Sequence, residues 1–97
     1  MGDSPPNEID LPDHPREVTR RAKKLRGKRQ YQKARCLLEV AFEEWPSNAI
    51  IANNLIMAYR REPARAAAVY RKMREAGAKP DAYTFSNLIK AYGDAGQ

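Results

Sequence analysis

The sequence predicts an all-α fold, an α-α superhelix of about five helices arranged as two and a half helical hairpins. Apolar residues recur at i, i+3, i+4 and i+7 in successive segments, which is the spacing of one face of a helix. Residues 54–59 (NLIMAY) and 87–92 (NLIKAY) are identical at five of six positions and lie 33 residues apart. A repeat of this length with two helices per unit is typical of stacked helical hairpins.

The N-terminal segment differs in composition from the rest of the chain. Residues 1–15 contain four prolines, four acids and no lysine or arginine. Such a segment cannot bury enough apolar surface to offset the loss of chain entropy. We therefore expect a disordered, acidic, proline-rich tail over 1–15 and a helical repeat domain over 16–97. An acidic arm that shields the basic residues following it is the alternative interpretation.

The first two helices are predicted from their apolar stripes. The stripe of the first helix, which begins at Pro15, consists of Val18, Ala22 and Leu25. The second helix ends at residues 45–46 (WP), and its stripe consists of Tyr31, Ala34, Leu37, Leu38 and Ala41. The single cysteine, Cys36, lies on the second helix and cannot form an internal disulfide, so we expect its thiol to pack between helices.

Capping residues and prolines mark the ends of the next helices. Ser47 or Asn48 is expected to cap the third helix, and Pro63 is tolerated at the first position of the fourth. Gly77 is expected in the left-handed conformation after the fourth helix, and Asp81 as the N-cap of the fifth. The predicted stripes of these three helices are Ala52, Leu55, Ile56 and Tyr59, then Ala66, Val69, Tyr70 and Met73, then Phe85, Leu88, Ile89 and Tyr92.

Positive charge is concentrated in one part of the chain. The net charge is +6, yet residues 15–35 alone contain ten Lys and Arg residues and one acid, a net charge of +9. Such a block attracts phosphate, a ribonucleoprotein or an acidic protein surface, although a solvated end cap of a repeat array is also charged. The candidate phosphate contacts are Arg20, Arg21, Lys23, Lys24, Arg26, Lys28 and Arg29.

Several classes of function are not expected from this sequence. His14 stands alone in the proline-rich tail, and no Ser/His/Asp, Cys/His or metal-spaced cluster occurs, so we expect no enzyme activity, no cofactor and no metal. No apolar run reaches the length of a membrane span, so we expect no membrane partner. No apolar secretory core follows Met1, which favours a cytoplasmic location.

Two parts of the chain resemble known helical repeats. Residues 70–92 (YRKMREAGAKPDAYTFSNLIKAY) closely resemble the junction between pentatricopeptide (PPR) repeats, in which a helix ending in F/Y-x-x-M and a G-x-x-P-D turn lead into T-Y/F-x-x-L-I-x-A-Y. Residues 31–34 (YQKA), with Leu38, Ala41 and Pro46, resemble the second helix of a tetratricopeptide (TPR) repeat. The PPR-like unit from Ala49 to Asp81 has a shorter internal turn, 61–63 (REP), than that family.

The PPR resemblance implies binding of single-stranded RNA, one base per repeat, through two polar positions and a stacking residue. The resemblance places Asn53 and Asp81 at the polar positions of one unit, a pair that the family's code associates with uracil. It places Ile50 and Tyr83 at the stacking positions of successive units, and Ser86 at the polar position of the last. Asp81 as a helix cap and Asn53 as a helix-surface amide are the alternative roles. Two units imply weak binding by this chain alone, since stacking contributes about 1–3 kcal/mol per base. The resemblance also implies a mitochondrial or plastid location as the alternative to the cytoplasm.

A protein-binding scaffold of the TPR kind is the rival interpretation. In that case Asn54 and Arg61 would suit contacts to a peptide backbone and carboxylate. The fifth helix also exposes whatever part of its apolar stripe the preceding helices do not cover, and large exposed apolar patches usually mark interfaces. The sequence therefore predicts, besides single-stranded RNA or a ribonucleoprotein, a protein partner or self-association through the C-terminal helix.

Overall fold

Five α-helices make up most of the chain in the computed structural model, which describes residues 11–94. They are α1 (Pro15–Gly27), α2 (Tyr31–Glu44), α3 (Ala49–Ala58), α4 (Pro63–Glu75) and α5 (Ala82–Asp94). Within the described residues there is no strand. The predicted all-α class and the number of helices are therefore confirmed.

The central helix of the arrangement is α3. It contacts each of the other four helices, whereas within residues 11–94 the first helix does not contact α5. Each helix also packs against the next one in sequence. Helices α1 and α2 form one hairpin, and α3 and α4 form a second. The α1–α3 contact joins the first hairpin to the second, and the α3–α5 contact joins the second hairpin to α5. This order gives the molecule a helical-repeat-like character.

The core contains most of the apolar stripes predicted for the first four helices. Alanines occupy several of the buried positions, which allows helix backbones to approach closely. Its buried apolar residues are Val18, Ala22, Ala34, Leu37, Leu38, Ala41, Phe42, Ile51, Ala52, Leu55, Ile56, Tyr59, Ala66, Val69, Met73, Ala78 and Ala91.

Two expectations for α2 are wrong. Tyr31 is exposed because it is the first residue of the helix, one turn before the first buried side chain, Ala34. Cys36 is also exposed, because the core-facing positions of this turn are taken by Leu37 and Leu38. The thiol therefore lies on the solvent side of α2.

The predicted N-terminal tail lies only partly within the described residues. Residues 1–10 fall outside them. Leu11 packs against the edge of the core, and Pro15 occupies the first position of α1. The disorder predicted for residues 1–10 stays a prediction.

Side-chain caps and prolines start the helices where the sequence places them. The Asn48 side-chain oxygen accepts a hydrogen bond from the Ile51 N–H at 3.0 Å, so Asn48 and not Ser47 caps α3. Pro63 begins α4, where its missing N–H removes no helical hydrogen bond. These local signals fix the lengths of the connections between the helices.

The C-terminal ends of α1 and α4 have the same turn. After α4, Gly77 adopts a φ of 97°, as predicted. After α1 the equivalent residue is Arg29, with a φ of 61°, and the Gln30 N–H donates to the Leu25 carbonyl at 2.9 Å. This is the hydrogen bond of a Schellman turn. Because the left-handed region is costly for a residue with a Cβ, Arg29 strains the end of α1.

The face that α5 packs on its neighbours is not its predicted apolar stripe. Thr84, Asn87 and Ala91 are buried, and Leu88 is half-buried. By contrast, the aromatic and aliphatic residues Phe85, Ile89 and Tyr92 are exposed. The expectation that part of the stripe remains uncovered is confirmed, while the burial of two polar side chains, Thr84 and Asn87, was not foreseen.

The repeated hexapeptide provides a matched test of this packing. Ile56 is fully buried, whereas Ile89 at the equivalent position is 71% exposed. We predict that Ile56→Ala lowers the free energy of unfolding by about 2–5 kcal/mol, because it removes buried methyl groups and leaves a cavity. Ile89→Ala should change it by less than about 0.5 kcal/mol. Urea denaturation of both variants measures the difference, and equal losses would contradict the described register.

The strained residue Arg29 generates a second prediction. Arg29→Gly should raise the free energy of unfolding by about 0.5–1 kcal/mol, because glycine adopts the left-handed conformation without a Cβ clash. Lys28→Gly is the control, since it removes the same charge at a φ of −93°. The control should be neutral or destabilising in the same denaturation experiment. Equal effects of the two variants would show that charge, and not backbone strain, controls stability here.

Candidate nucleic-acid interface

The first helix combines a narrow buried stripe with a basic outer surface. Val18 and Ala22 are fully buried, and the long cationic side chains project from the remaining faces. Of the seven candidate phosphate contacts, six are exposed and Arg26 is half-buried. Arg20 forms an exposed ion pair with Glu17 at 3.4 Å. Since exposed ion pairs hold their partners weakly, this contact leaves Arg20 available to exchange Glu17 for a phosphate.

Arg26 connects the basic helix to the centre of the molecule. Both of its terminal nitrogens lie 3.4 Å from the side-chain oxygen of Asn54 on α3. The amide nitrogen of Asn54 in turn donates to the Ile50 carbonyl at 2.8 Å. These contacts occupy both ends of the Asn54 side chain. In the rival interpretation Asn54 contacts the backbone of a bound peptide, and its side chain would have to give up these two contacts to do so.

A polar junction joins α3 to α5. The side chains of Asn53, Thr84 and Asn87 are all buried there. The Thr84 hydroxyl lies 2.6 Å from the side-chain oxygen of Asn53, and the Asn87 amide donates to the Asn53 main-chain carbonyl at 3.4 Å. These hydrogen bonds satisfy polar groups that would be costly to bury unpaired. The junction therefore fixes α5 in register against α3.

Asp81 caps α5, as predicted. Its carboxylate accepts from the Thr84 N–H at 3.0 Å, while its own N–H donates to the Thr84 hydroxyl oxygen at 3.2 Å. The backbone hydrogen bond from Thr84, followed by that from its hydroxyl, lowers the pKa of Asp81 below its ordinary value of 3.8. The Thr84 hydroxyl has one proton, so it donates to either Asn53 or Asp81 at a given moment.

The structure brings the two predicted polar positions together through a residue that the sequence analysis missed. Asn53 and Asp81 both contact Thr84, although Asn53 is only 8% exposed and is not the surface amide of the alternative interpretation. The spacing Asp81-x-x-Thr84 is that of a capping pair and could have identified Thr84. Asp81 itself is exposed, so the pair presents its carboxylate end to solvent.

The two candidate stacking residues line separate grooves. Ile50 is 63% exposed and lies in the α1–α3 groove, a cavity of about 600 Å³. The residues that line this groove are His14, Pro15, Arg16, Glu17, Thr19, Asn48 and Ile50. Tyr83 is 60% exposed and lies in the α3–α5 groove, a cavity of about 440 Å³. The residues that line it are Met57, Arg60, Ala82, Tyr83, Ser86, Asn87 and Lys90.

Each groove thus places a predicted stacking residue beside cationic side chains. Arg16 lies in the groove of Ile50, and Arg60 and Lys90 lie in the groove of Tyr83. Ser86, the last predicted polar position, is exposed in the same groove as Tyr83. Arg60 and Lys90 could not be paired from the sequence, because Arg60 follows α3, Lys90 lies on α5, and only the packing of these two helices brings them into one groove.

A second charged cluster serves packing at the junction of α2, α3 and α4. The buried Tyr59 hydroxyl donates to Glu39, and burial, assisted by this carboxylate, raises the pKa of Tyr59 to about 12. The guanidinium groups of Arg35 and Arg65 lie 5.8 and 5.7 Å from the centre of its ring. Glu62 pairs with both, at 2.9 Å to Arg35 and 3.3 Å to Arg65. Arg35 is therefore engaged in the fold.

Residues 11–94 contain neither a metal-binding cluster nor a helix of membrane-spanning character. In the part of the chain from residue 11 to 94, no group of three His, Cys, Asp or Glu side chains could hold a metal ion. None of the helices described there is long and apolar enough to cross a membrane.

Comparison with known proteins identifies no relative. No family model, no curated protein sequence and no solved structure matches this chain.

The lowered pKa of Asp81 predicts a specific dependence on pH. A carboxylate with a lowered folded-state pKa contributes stability above about pH 4 and loses it as the pH falls through that pKa. Wild type should therefore be more stable than Asp81→Asn near neutral pH, and the difference should shrink on acidification. Thermal unfolding at about pH 7 and about pH 2.5 measures it. The exposed Glu75→Gln is the control, and a similar shrinkage there would implicate general charge instead of the cap.

Proposed function

We propose that this chain is a non-catalytic helical-repeat module of the PPR type that binds single-stranded RNA, free or within a ribonucleoprotein. The observation that carries the proposal is that each exposed stacking residue, Ile50 and Tyr83, shares a groove with at least one lysine or arginine side chain. Proteins that bind single strands combine stacking surfaces with a positively charged path for the backbone.

A single strand suits these grooves better than a duplex does. The bases of a duplex are stacked on each other, so their faces are not available to Ile50 and Tyr83. The Asp81 carboxylate and the Ser86 hydroxyl lie near Tyr83 as exposed hydrogen-bonding groups for the edge of an unpaired base. Asn53 is buried and contacts this surface through its hydrogen bond with Thr84. The preference for uracil proposed for Asn53 with Asp81 follows from the PPR resemblance.

The proposed arrangement is a right-handed superhelix of two and a half hairpins. Contacts between α1 and α3 and between α3 and α5 line up the odd-numbered helices, and both grooves lie between members of that set. A strand that followed them would pass the basic surface of α1. With two stacking positions at about 1–3 kcal/mol each, binding by this chain alone is weak and depends strongly on charge. The proposed location is the cytoplasm.

A protein-binding scaffold is the second candidate, and one observation favours it. Phe85, Ile89 and Tyr92 form an exposed apolar surface on α5, and the Phe85 ring packs at 5.8 Å on that of Tyr70. Surfaces of this kind mark contacts with other proteins. The two candidates are compatible because the apolar residues and the α3–α5 groove occupy different faces of α5.

RNA binding is tested with matched charge variants. We predict that a labelled oligouridine binds the wild type and that its affinity falls by at least about tenfold between about 50 and 200 mM salt. Neutralising three cations of α1, with Lys23→Gln, Lys24→Gln and Lys28→Gln together, should weaken binding and reduce the salt dependence. Fluorescence anisotropy measures both quantities.

The control removes the same charge elsewhere, with Arg71→Gln, Lys72→Gln and Lys79→Gln together, all at exposed positions. It should weaken binding less than the α1 variant does. Equal losses would show nonspecific attraction by net charge. Absence of binding at low salt would contradict the proposal and leave the protein-binding candidate, whose apolar contact should be insensitive to salt.

A further inference from the structure

The cations of α1 do not all face the same way. Arg26 contacts Asn54, so its side of α1 faces α3. Successive residues of a helix are rotated by about 100° about its axis, so Lys24 and Lys28, each two residues from Arg26, lie about 200° away from it. These two lysines therefore point away from α3 and from the groove between α1 and α3.

Arg20, Lys24 and Lys28 form a line along this side of the helix, which we call the outer row of α1. They are spaced by four residues, so neighbouring members lie about 6 Å apart along the helix axis. All three are exposed. Within residues 11–94 neither lysine takes part in an ion pair, and Arg20 forms the exposed pair with Glu17. The outer row is therefore open to a polyanion that approaches from solvent.

The outer row has no surface on which an unpaired base could stack. Among the described residues, the large apolar side chains that are exposed lie on α2, α3 and α5, and none lies on α1. Single strands are held by stacking as well as by charge, whereas a duplex is recognised mainly through its phosphates and hydroxyls, because its bases are stacked on each other. Protein partners also need apolar residues at the centre of an interface. Cations without apolar neighbours therefore fit the backbone of a duplex best.

We propose that the outer row of α1 binds the phosphate backbone of a nucleic-acid duplex, as a surface separate from the grooves. The duplex surface itself rests only on α1, whereas the assignment of the duplex to RNA rests on the proposed function. With a single strand in the grooves and a duplex on the outer row, the chain binds the junction at which a base-paired stem meets an unpaired segment.

Two matched variants on the same helix test the proposal. The outer-row variant is Lys24→Gln with Lys28→Gln. The groove-side variant is Arg16→Gln with Lys23→Gln, because Arg16 lines the α1–α3 groove and Lys23 lies only about 60° from Arg26 around the helix. Each variant removes two positive charges from exposed positions, so neither disturbs the core. Circular dichroism checks that both fold.

Binding of the full chain to a labelled blunt RNA duplex is measured by fluorescence anisotropy at several salt concentrations. The outer-row variant should weaken duplex binding at least about fivefold, as expected for loss of two charge-assisted contacts. It should also reduce the slope of the logarithm of affinity against the logarithm of salt concentration by about 2, since each phosphate contact contributes about 1. The groove-side variant should change both quantities less.

A third probe joins the two surfaces. An RNA duplex that carries an oligouridine tail at one end should bind the wild type more tightly than the blunt duplex or oligouridine alone, because the second contact is made within one complex. The outer-row variant should lose most of this advantage.

The outcomes separate the outer row from the proposed function. Duplex binding without any oligouridine binding would support the outer row and contradict the single-strand function. Oligouridine binding together with no duplex binding at about 50 mM salt would support that function and overturn the outer row. Equal losses of duplex affinity in the two variants also overturn it.

Two further probes identify the polyanion. Poly-glutamate that binds more tightly than the duplex, with the same dependence on the outer row, overturns the proposal in favour of an acidic protein. A DNA duplex of the same sequence that binds more tightly than the RNA duplex supports the surface and overturns its assignment to RNA.

Discussion

The structure depends on the burial of α3 by all four of its neighbours. Contacts with four helices enclose most of this helix, and Ile51, Ala52, Leu55 and Ile56 are all buried. Its buried polar side chain, Asn53, must then find a partner inside the protein, because an unpaired buried amide is costly. Thr84 supplies this partner, and Thr84 is in turn held by the Asp81 cap. The hydrogen bond to this amide thus helps to fix α5 against α3.

The local features of the fold could be predicted from the sequence because each depends on a few adjacent residues. The Pro63 start of α4, the left-handed Gly77 and the Asp81 cap are examples. The packing face of α5 could not be predicted in this way. A hydrophobic pattern identifies Phe85 and Ile89 as buried, whereas the structure buries Thr84 and Asn87 through hydrogen bonds to α3. Apolar periodicity contains no information on such polar contacts.

Only part of the candidate site could be predicted, because the sequence assigns positions within a repeat but not contacts between helices. Ile50, Tyr83 and Ser86 were found because the PPR resemblance assigns each of them to a position within one repeat. Arg60 and Lys90 are 30 residues apart in sequence, and their shared groove exists only after α3 and α5 have packed. Conversely, Arg35 belongs to the basic segment of the sequence, yet its ion pair with Glu62 makes it part of the packing between helices.

Charge is segregated by this arrangement. Tyr59 and its four charged neighbours form a cluster at the junction of α2, α3 and α4, in which two arginines face two carboxylates. Pairing within this cluster neutralises the charge of the side chains that pack these helices together. The excess positive charge of the chain therefore lies mainly along α1.

The exposed surface of α5 also restricts the symmetry that an assembly of this chain could have. A head-to-tail contact between identical subunits needs a complementary apolar surface elsewhere on the molecule, and repeated contacts of that kind produce filaments. The outer face of α1 carries cations, and none of the large exposed apolar residues of the described chain lies on that helix. Two copies that instead covered Ile89 with each other about a two-fold axis would bury the same surface on both subunits. Such a contact closes at two subunits and does not propagate.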